Sequence, residues 1–220
     1  MPLPILDGPR LAPQSGRPAK QLIVFLHGYG ADGNDLIGIG HQWGSHLPDA
    51  AFASPHAPEP CGMAPVGRQW FHLTLRDPSE YWRGVVAARP ALDAFLNAEL
   101  QRLGLSDKDL VLVGFSQGTM MALHSGLRRV HAPAGIVAYS GLLAGPEHLQ
   151  QEISARPPVL LAHGNQDEVV PFAVMTIAET ALKAAGVPVV SHVAEGLGHG
   201  IDGTGLALGL AHCRQVLGSS

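Results

Sequence analysis

Apolar residues recur along this chain in two alternating patterns. Short, mostly β-branched runs that stop at Gly, Pro or Ser alternate with longer stretches that have helical spacing, and we expect each short run to be a buried strand. The predicted strands are 21–28, 50–58, 109–116, 134–141, 157–164 and 187–195. The predicted helices lie within 36–47, 85–104, 119–130 and 172–186, with Gly104 and Gly186 as the C-caps of two of them.

This β-α-β-α alternation predicts an α/β fold in one domain over residues 1–220. Near-continuous apolar strands favour a parallel sheet covered by helices on both faces. Right-handed crossovers then bring the loops at the carboxyl ends of the strands together, where such sheets place their sites. At the amino end, Asp7-Gly8 between two apolar pairs predicts a hairpin on the sheet edge.

Residues 53–83 interrupt this rhythm with a proline-rich stretch of little periodicity. A long irregular segment inside a compact domain is more often functional than accidental. Met63, Trp70 and Phe71 are therefore predicted to wall a substrate pocket. The other interpretation is that these side chains only cover the open end of the sheet.

A candidate nucleophile lies in the sequence Gly114-Phe115-Ser116-Gln117-Gly118, between a predicted strand and a predicted helix. A serine on such a sharp turn adopts a strained backbone, and glycines two residues to either side let the strand and helix approach closely. The amide of Gln117 would then lie at a helix N-terminus, directed at an oxyanion formed on Ser116.

A serine hydroxyl needs a base that a third group orients. Asp167 follows one predicted strand, and His199 lies on a glycine-flanked loop after the next strand. The order Ser, Asp, His is the one that accompanies this kind of turn. The competing acids and histidines fit less well by position: Glu168 would project differently, Asp202 lies beyond His199, His192 is inside a strand and His212 is inside the last helix.

A second oxyanion donor is predicted on the loop after the first long strand, where the backbone amide of Tyr29 is the candidate. The alternative is a simple tight turn into a helix capped by Asn34 or Asp35. No P-loop lysine is present, which argues against phosphate binding at this turn.

Composition excludes several other classes of protein. The formal net charge is −4 and no basic stripe occurs, so nucleic acid is not an expected partner. The amino end has no signal-peptide pattern and no apolar run reaches the roughly 18 residues that span a bilayer, so we expect a soluble protein without integral membrane association. Two cysteines, neither with zinc-ligand spacing, favour the reducing cytoplasm, and the 12 histidines form no metal-ligand pattern, so no metal site is expected.

Four ordered blocks together carry a family resemblance: "FLHGYGADGNDL", "GFSQGTMMAL", "HGNQDEVVP" and "EGLGHG". They resemble the phospholipase/carboxylesterase family of the α/β-hydrolase fold, which includes acyl-protein thioesterases and small bacterial carboxylesterases. By this resemblance the nucleophile, acid and base fall on Ser116, Asp167 and His199, and the oxyanion amides on Tyr29 and Gln117. Tyr29 stands where the eukaryotic thioesterases of the family tend to have an aliphatic residue, which bears on the acyl-chain preference alone.

The resemblance implies a serine carboxylesterase without a cofactor, and 220 residues leave no room for a separate cap domain. The expected partner is therefore a small-molecule ester with a short acyl chain. An acyl-protein thioesterase or lysophospholipase acting on longer chains is the first alternative, and a non-catalytic binding protein that keeps the fold is the second. The oligomeric state, a homodimer included, stays open.

Overall fold

The computed structural model describes residues 2–62, 64, 66–74, 77 and 79–218. Over these ranges the chain forms nine strands and six helices, with a short 3-10 turn at Asp107–Asp109. The strands are β1 Arg10–Leu11, β2 Gln21–Leu26, β3 Ala50–Ala53, β4 Glu59–Pro60, β5 Arg68–Gln69, β6 Leu110–Phe115, β7 Gly135–Tyr139, β8 Val159–Gly164 and β9 Val189–Ala194. The helices are α1 Gly33–Trp43, α2 Ser79–Leu103, α3 Gln117–Gly126, α4 Pro146–Glu152, α5 Ala173–Ala184 and α6 Gly203–Val216.

Seven of the strands form one sheet in the order β1-β3-β2-β6-β7-β8-β9. All neighbouring strands are parallel except β1, which pairs antiparallel with β3 at the sheet edge. Side chains of one face pack with α2, α3, α4 and α5, and those of the other face pack with α1 and α6. The six long predicted strands and the sheet covered on both faces are confirmed.

The predicted N-terminal hairpin is wrong. Asp7-Gly8 does not turn between two strands; the carbonyls of Asp7 and Pro9 accept hydrogen bonds from His56 and Ser54 of the segment after β3. A hairpin needs backbone N–H donors on both arms, and the prolines of this stretch supply none. Only the placement of β1 at the sheet edge agrees with the expectation.

Helix boundaries differ from the predicted ones at two N-termini. Helix α1 begins at Gly33 and is capped by Asp32, whose side chain accepts a 2.8 Å bond from the amide of Asn34. Helix α2 begins at Ser79, before its periodic apolar stretch, so Trp82 is on a helix. The helix ends agree better: Gly104 and Gly186 have φ of +69° and +77°, the left-handed conformation of helix C-termini.

The segment between β3 and α2 contains a two-stranded ribbon of β4 and β5 that the sequence pattern did not predict. The ribbon is tied to the loop after β2, because the amide of Gly30 donates to the carbonyl of Arg68 and the amide of Arg68 donates to the carbonyl of Ala31. No helix within the described residues has the length and apolar character needed to cross a bilayer.

Candidate active site

The turn between β6 and α3 holds Ser116 in a backbone conformation that few non-glycine residues adopt, with φ of 53° and ψ of −116°. Such a conformation costs about 1–3 kcal/mol and persists only where the surroundings impose it. Here the amide of Ser116 donates a 3.0 Å bond to the carbonyl of Tyr139 on the neighbouring strand β7. The serine is therefore held at the carboxyl end of the two central strands.

Close packing around this turn requires its glycines. A Cβ on Gly118 would lie 1.8 Å from the carbonyl oxygen of Leu26, and one on Gly114 would lie 2.5 Å from the carbonyl oxygen of Gly118. The first turn of α3 thus rests directly on the end of β2, as the glycine pattern predicts. Since Gln117 is the first residue of α3, its amide is one of the N–H groups that no carbonyl of the helix can accept.

The loop after β2 lies against the same serine. A Cβ on Gly28 would lie 3.3 Å from the Cβ of Ser116, so the backbone that leads into Tyr29 borders the nucleophile turn. The Tyr29 side chain is half-buried, and a hydrogen bond with Cys61 raises the pKa of its hydroxyl. Tyr29 is therefore anchored to the segment after β3, while its backbone borders Ser116.

His27 fixes this loop, and the sequence analysis did not single it out. Its Nε2 accepts a 3.0 Å bond from the amide of Ala57, and its Nδ1 lies 2.8 Å from the carbonyl oxygen of Gly28. These partners require the neutral Nδ1–H tautomer. Burial lowers the pKa of His27, which keeps the ring neutral and the loop in place.

Asp167 and His199 are brought into direct contact. Nδ1 of His199 lies 2.7 Å from Oδ2 of Asp167, whose side chain is fully buried. The other oxygen, Oδ1, accepts bonds of 2.9 and 2.8 Å from the amides of Val169 and Val170. Burial disfavours the charged carboxylate, but the hydrogen bonds from His199, Val170 and Val169 outweigh it and lower the pKa of Asp167.

The His199 ring also faces the nucleophile turn. It packs on the ring of Phe115, the residue before Ser116, with a centroid distance of 4.9 Å. The loop that carries His199 is held by Ser140, whose hydroxyl donates a 2.8 Å bond to the carbonyl of Gly200. Ser140 itself has φ of 43°, a second strained non-glycine residue next to the first, and the sequence analysis did not identify it.

The remaining predicted residues lie at different depths. Trp70 and Phe71 are 1% and 4% exposed and belong to the core under α2 and α3, so they present little surface to a bound molecule. Met63 lies outside the described residues. Glu168, the competitor for the acid, is exposed beside the buried Asp167.

Gln117 links these buried aromatic residues to the nucleophile turn through its side chain. Its Oε1 accepts a 2.8 Å bond from the amide of Trp70, and its Nε2 donates a 2.8 Å bond to the carbonyl of Phe71. The indole of Trp70 in turn donates a 3.0 Å bond to the carbonyl of His27. These bonds join the segment after β3 to both loops that border Ser116.

Comparison with known proteins assigns the chain, whose fold is that of an α/β-hydrolase, to a family. The sequence model of the Phospholipase/Carboxylesterase family matches residues 12–216. The chain belongs to the phospholipase/carboxylesterase family.

Relatives within this family include proteins with named activities. The chain is 30% identical to esterase YpfH of Escherichia coli strain K12 over 201 residues, which are 91% of this chain and 85% of that protein. It is 31% identical to acyl-protein thioesterase 1 of Saccharomyces cerevisiae over 181 residues, covering 76% and 78% of the two chains. The crystal structure of esterase PE8 superimposes with a TM-score of 0.94 at 44% identity, covering 97% of this chain and 100% of that one.

Proposed function

We propose that this protein is a serine carboxylesterase that hydrolyses small or short-chain carboxylic esters through an acyl-enzyme on Ser116. Its membership of the phospholipase/carboxylesterase family and its similarity to named esterases support a hydrolase that acts on ester bonds. The observation that carries the assignment of the site is the strained Ser116 turn facing a histidine that is hydrogen-bonded to a buried carboxylate.

In this mechanism, His199 is the general base and then the general acid. Because Nδ1 of His199 donates to Asp167, Nε2 is the nitrogen left to take the proton of the Ser116 hydroxyl. The serine oxygen attacks the ester carbonyl, and the tetrahedral intermediate collapses as His199 gives the proton to the leaving alcohol. A water molecule, activated by the same nitrogen, then releases the carboxylic acid and restores Ser116.

Negative charge on the intermediate needs hydrogen-bond donors that are already in place. We assign this role to the backbone amides of Gln117, at the N-terminus of α3, and of Tyr29, on the loop packed against Ser116. The hydrogen bonds of His27 with Ala57 and Gly28 hold the loop that carries Tyr29 in place. A tyrosine at position 29 does not alter a donor that belongs to the backbone.

The substrate groove that fits this proposal lies beside the loop after β7. A Cβ on Gly141 would lie 2.7 Å from the carbonyl oxygen of Ser116, and the groove begins at the next residue. Its volume is about 460 Å³. Its lining is Asp77, Ser79, Tyr81, Trp82, Leu142, Leu143, Ala144, Gly145, Pro146 and Glu147. An open groove that combines aromatic and aliphatic side chains with the polar Asp77, Ser79 and Glu147 suits a small acyl or alcohol group.

Two measurements test this function together. A fluorophosphonate probe is expected to modify Ser116 alone, as mapped by mass spectrometry of the labelled peptide, and 4-nitrophenyl esters from acetate to palmitate are expected to give the highest kcat/KM at the short end. Ser45→Ala, at an exposed serine, is the matched control for labelling. Absence of labelling in the folded protein would support a binding protein instead.

The chain-length series also tests the second candidate. Acyl-protein thioesterase 1 of yeast is a relative of similar identity, and an enzyme of that kind requires room for a long acyl chain. Rates that rise steadily from acetate to palmitate, and that are higher on thioesters than on oxygen esters of the same acids, would replace the short-chain proposal with that one.

A further inference from the structure

A second, buried histidine contacts the buried carboxylate of Asp167. Nε2 of His163 lies 3.2 Å from Oδ2 of Asp167 and 2.8 Å from the carbonyl oxygen of Val170. His163 lies on β8 and its side chain is 2% exposed. The same carboxylate oxygen therefore faces one ring nitrogen of His199 and one of His163.

The protonation of this nitrogen follows from its neighbours. Both groups within reach of Nε2 are acceptors, a carboxylate oxygen and a backbone carbonyl, so Nε2 must carry the hydrogen. This N–H group donates a hydrogen bond to the carbonyl of Val170, and its partial positive charge lies close to the carboxylate of Asp167. The amide of Val170 meanwhile donates to Oδ1 of Asp167, so His163 and Asp167 hold the two sides of one peptide segment.

The other polar groups around His163 come from the neighbouring elements. A cavity of about 10 Å³, the space of a single water molecule, is lined by His163 together with Tyr139 of β7, His192 of β9 and Asp202. Among the described residues, Nε2 of His192 is buried there without a hydrogen-bond partner, whereas Asp202 is engaged by the amide of Gly205. Of the groups that line this cavity, His163 alone is paired with Asp167 among the described residues.

We propose that His163 is a positioning residue for the acid of the triad, an inference that rests on the proposed function. It fixes the turn from Asp167 to Val170 through the Val170 carbonyl, and it stabilises the charged carboxylate through its N–H. Oδ2 of Asp167 is thereby aimed at Nδ1 of His199, and His163 acts on the reacting atoms only through these two residues. A misplacement of about 1 Å in such a group costs on the order of 10²-fold in rate.

The variants that test this role keep or remove the donor. His163→Phe preserves a planar ring and removes both nitrogens, whereas His163→Gln restores an N–H at nearly the position of Nε2. His192→Phe is the matched control, since it lines the same cavity and makes no contact with Asp167. For each variant, kcat and KM on 4-nitrophenyl acetate, the pH profile of kcat/KM and the unfolding midpoint in urea are measured.

We expect His163→Phe to lower kcat about 10- to 100-fold with little change in KM, and His163→Gln to recover most of the loss. In a titration followed by ¹³C NMR, the pKa of the Asp167 carboxyl should be higher in His163→Phe than in wild type, because the carboxylate loses a group that stabilises its charged form. His192→Phe should retain the wild-type profile.

Two results would overturn the proposal. One is a folded His163→Phe enzyme with unchanged kcat and an unchanged titration of the Asp167 carboxyl. The other is loss of activity that follows the unfolding midpoint and is not recovered by His163→Gln, which would make His163 a core residue only. If the wild-type protein hydrolyses no ester, the proposed function fails by itself, and the ¹³C chemical shift of the Asp167 carboxyl, titrated in wild type and His163→Phe, still decides whether His163 acts on that group.

Discussion

The carboxyl ends of the central strands carry Ser116, and the segment between β3 and α2 is bonded to the loops beside it, but different interactions hold these two regions. Ser116, Asp167 and His199 follow β6, β8 and β9, and the ladder of the sheet sets their positions. Among its described residues, the segment after β3 has only the short β4–β5 ribbon, and side chains such as Arg68 and Gln117 tie it down. The strands of the sheet can be predicted from the pattern of apolar residues, whereas side-chain hydrogen bonds of this kind cannot.

The largest effect is expected where the sheet positions the chemistry. Ser116→Ala should fold normally and lose about 10⁵ to 10⁶ in kcat, which is roughly 7 to 8 kcal/mol at 1.36 kcal/mol per decade. Single-turnover and steady-state kinetics on 4-nitrophenyl acetate measure the loss, and circular dichroism checks the fold. Retention of more than about one per cent of the activity would remove Ser116 from the mechanism.

Asp167 and Glu168 offer the next test, because they are adjacent and differ in burial. Asp167→Asn should lower kcat by about 10⁴, since an amide favours the wrong imidazole tautomer of His199. Glu168→Gln, at an exposed residue, should change kcat little and serves as the matched control. The reverse order of effects, measured by the same assay, would move the acid to Glu168.

This pair also shows what the sequence could predict. Strand ends at 110–115, 159–164 and 189–194 follow from apolar runs, and with them the loops that carry Ser116, Asp167 and His199. The environment of each side chain does not follow. The contact of His163 with Asp167, the hydroxyl of Ser140 on Gly200 and the tautomer of His27 join residues far apart in the chain, and no local pattern records them.

The elements that the sequence pattern predicted wrongly or did not predict also have a physical explanation. The prolines near Asp7-Gly8 remove the donors that a hairpin needs, so a turn signal alone was misleading. Helix α4 at Pro146–Glu152 is too short for a periodic apolar pattern, and its N-cap Gly145 has φ of 62°. The β4–β5 ribbon forms because the loop after β2 accepts and donates its backbone hydrogen bonds.

Removing the side-chain hydrogen bonds that hold the segment after β3 should have an intermediate effect on activity. Gln117→Leu keeps the proposed oxyanion amide but leaves the amide of Trp70 and the carbonyl of Phe71 unpaired, at about 1–3 kcal/mol each in the free energy of unfolding. The loops beside Ser116 should shift, and kcat/KM should fall on the order of 10²-fold.

The matched control for this variant is Gln69→Leu. Gln69 lies in the same segment and bonds to Glu59, but it has no hydrogen bond to the nucleophile turn. Urea unfolding and ester kinetics are compared for the two variants. Equal losses of activity would mean that the whole segment matters only as packing, and that the contact through Gln117 has no special importance.

The smallest effect is expected at Trp70, where the sequence predicts a pocket wall and the side chain is 1% exposed. Trp70→Phe keeps most of the volume and removes the hydrogen bond to the carbonyl of His27. If Trp70 shapes the pocket, the ratio of kcat/KM for butyrate and acetate esters should change about 5-fold, which corresponds to about 1 kcal/mol, the low end of what one methylene contributes in an apolar pocket. Trp43→Phe, at a tryptophan 3% exposed on the other face of the sheet, is the control. If both variants keep the wild-type chain-length profile and lose similar stability, Trp70 is a core residue like Trp43, and the substrate groove is defined by the side chains around Trp82 and Leu142 instead.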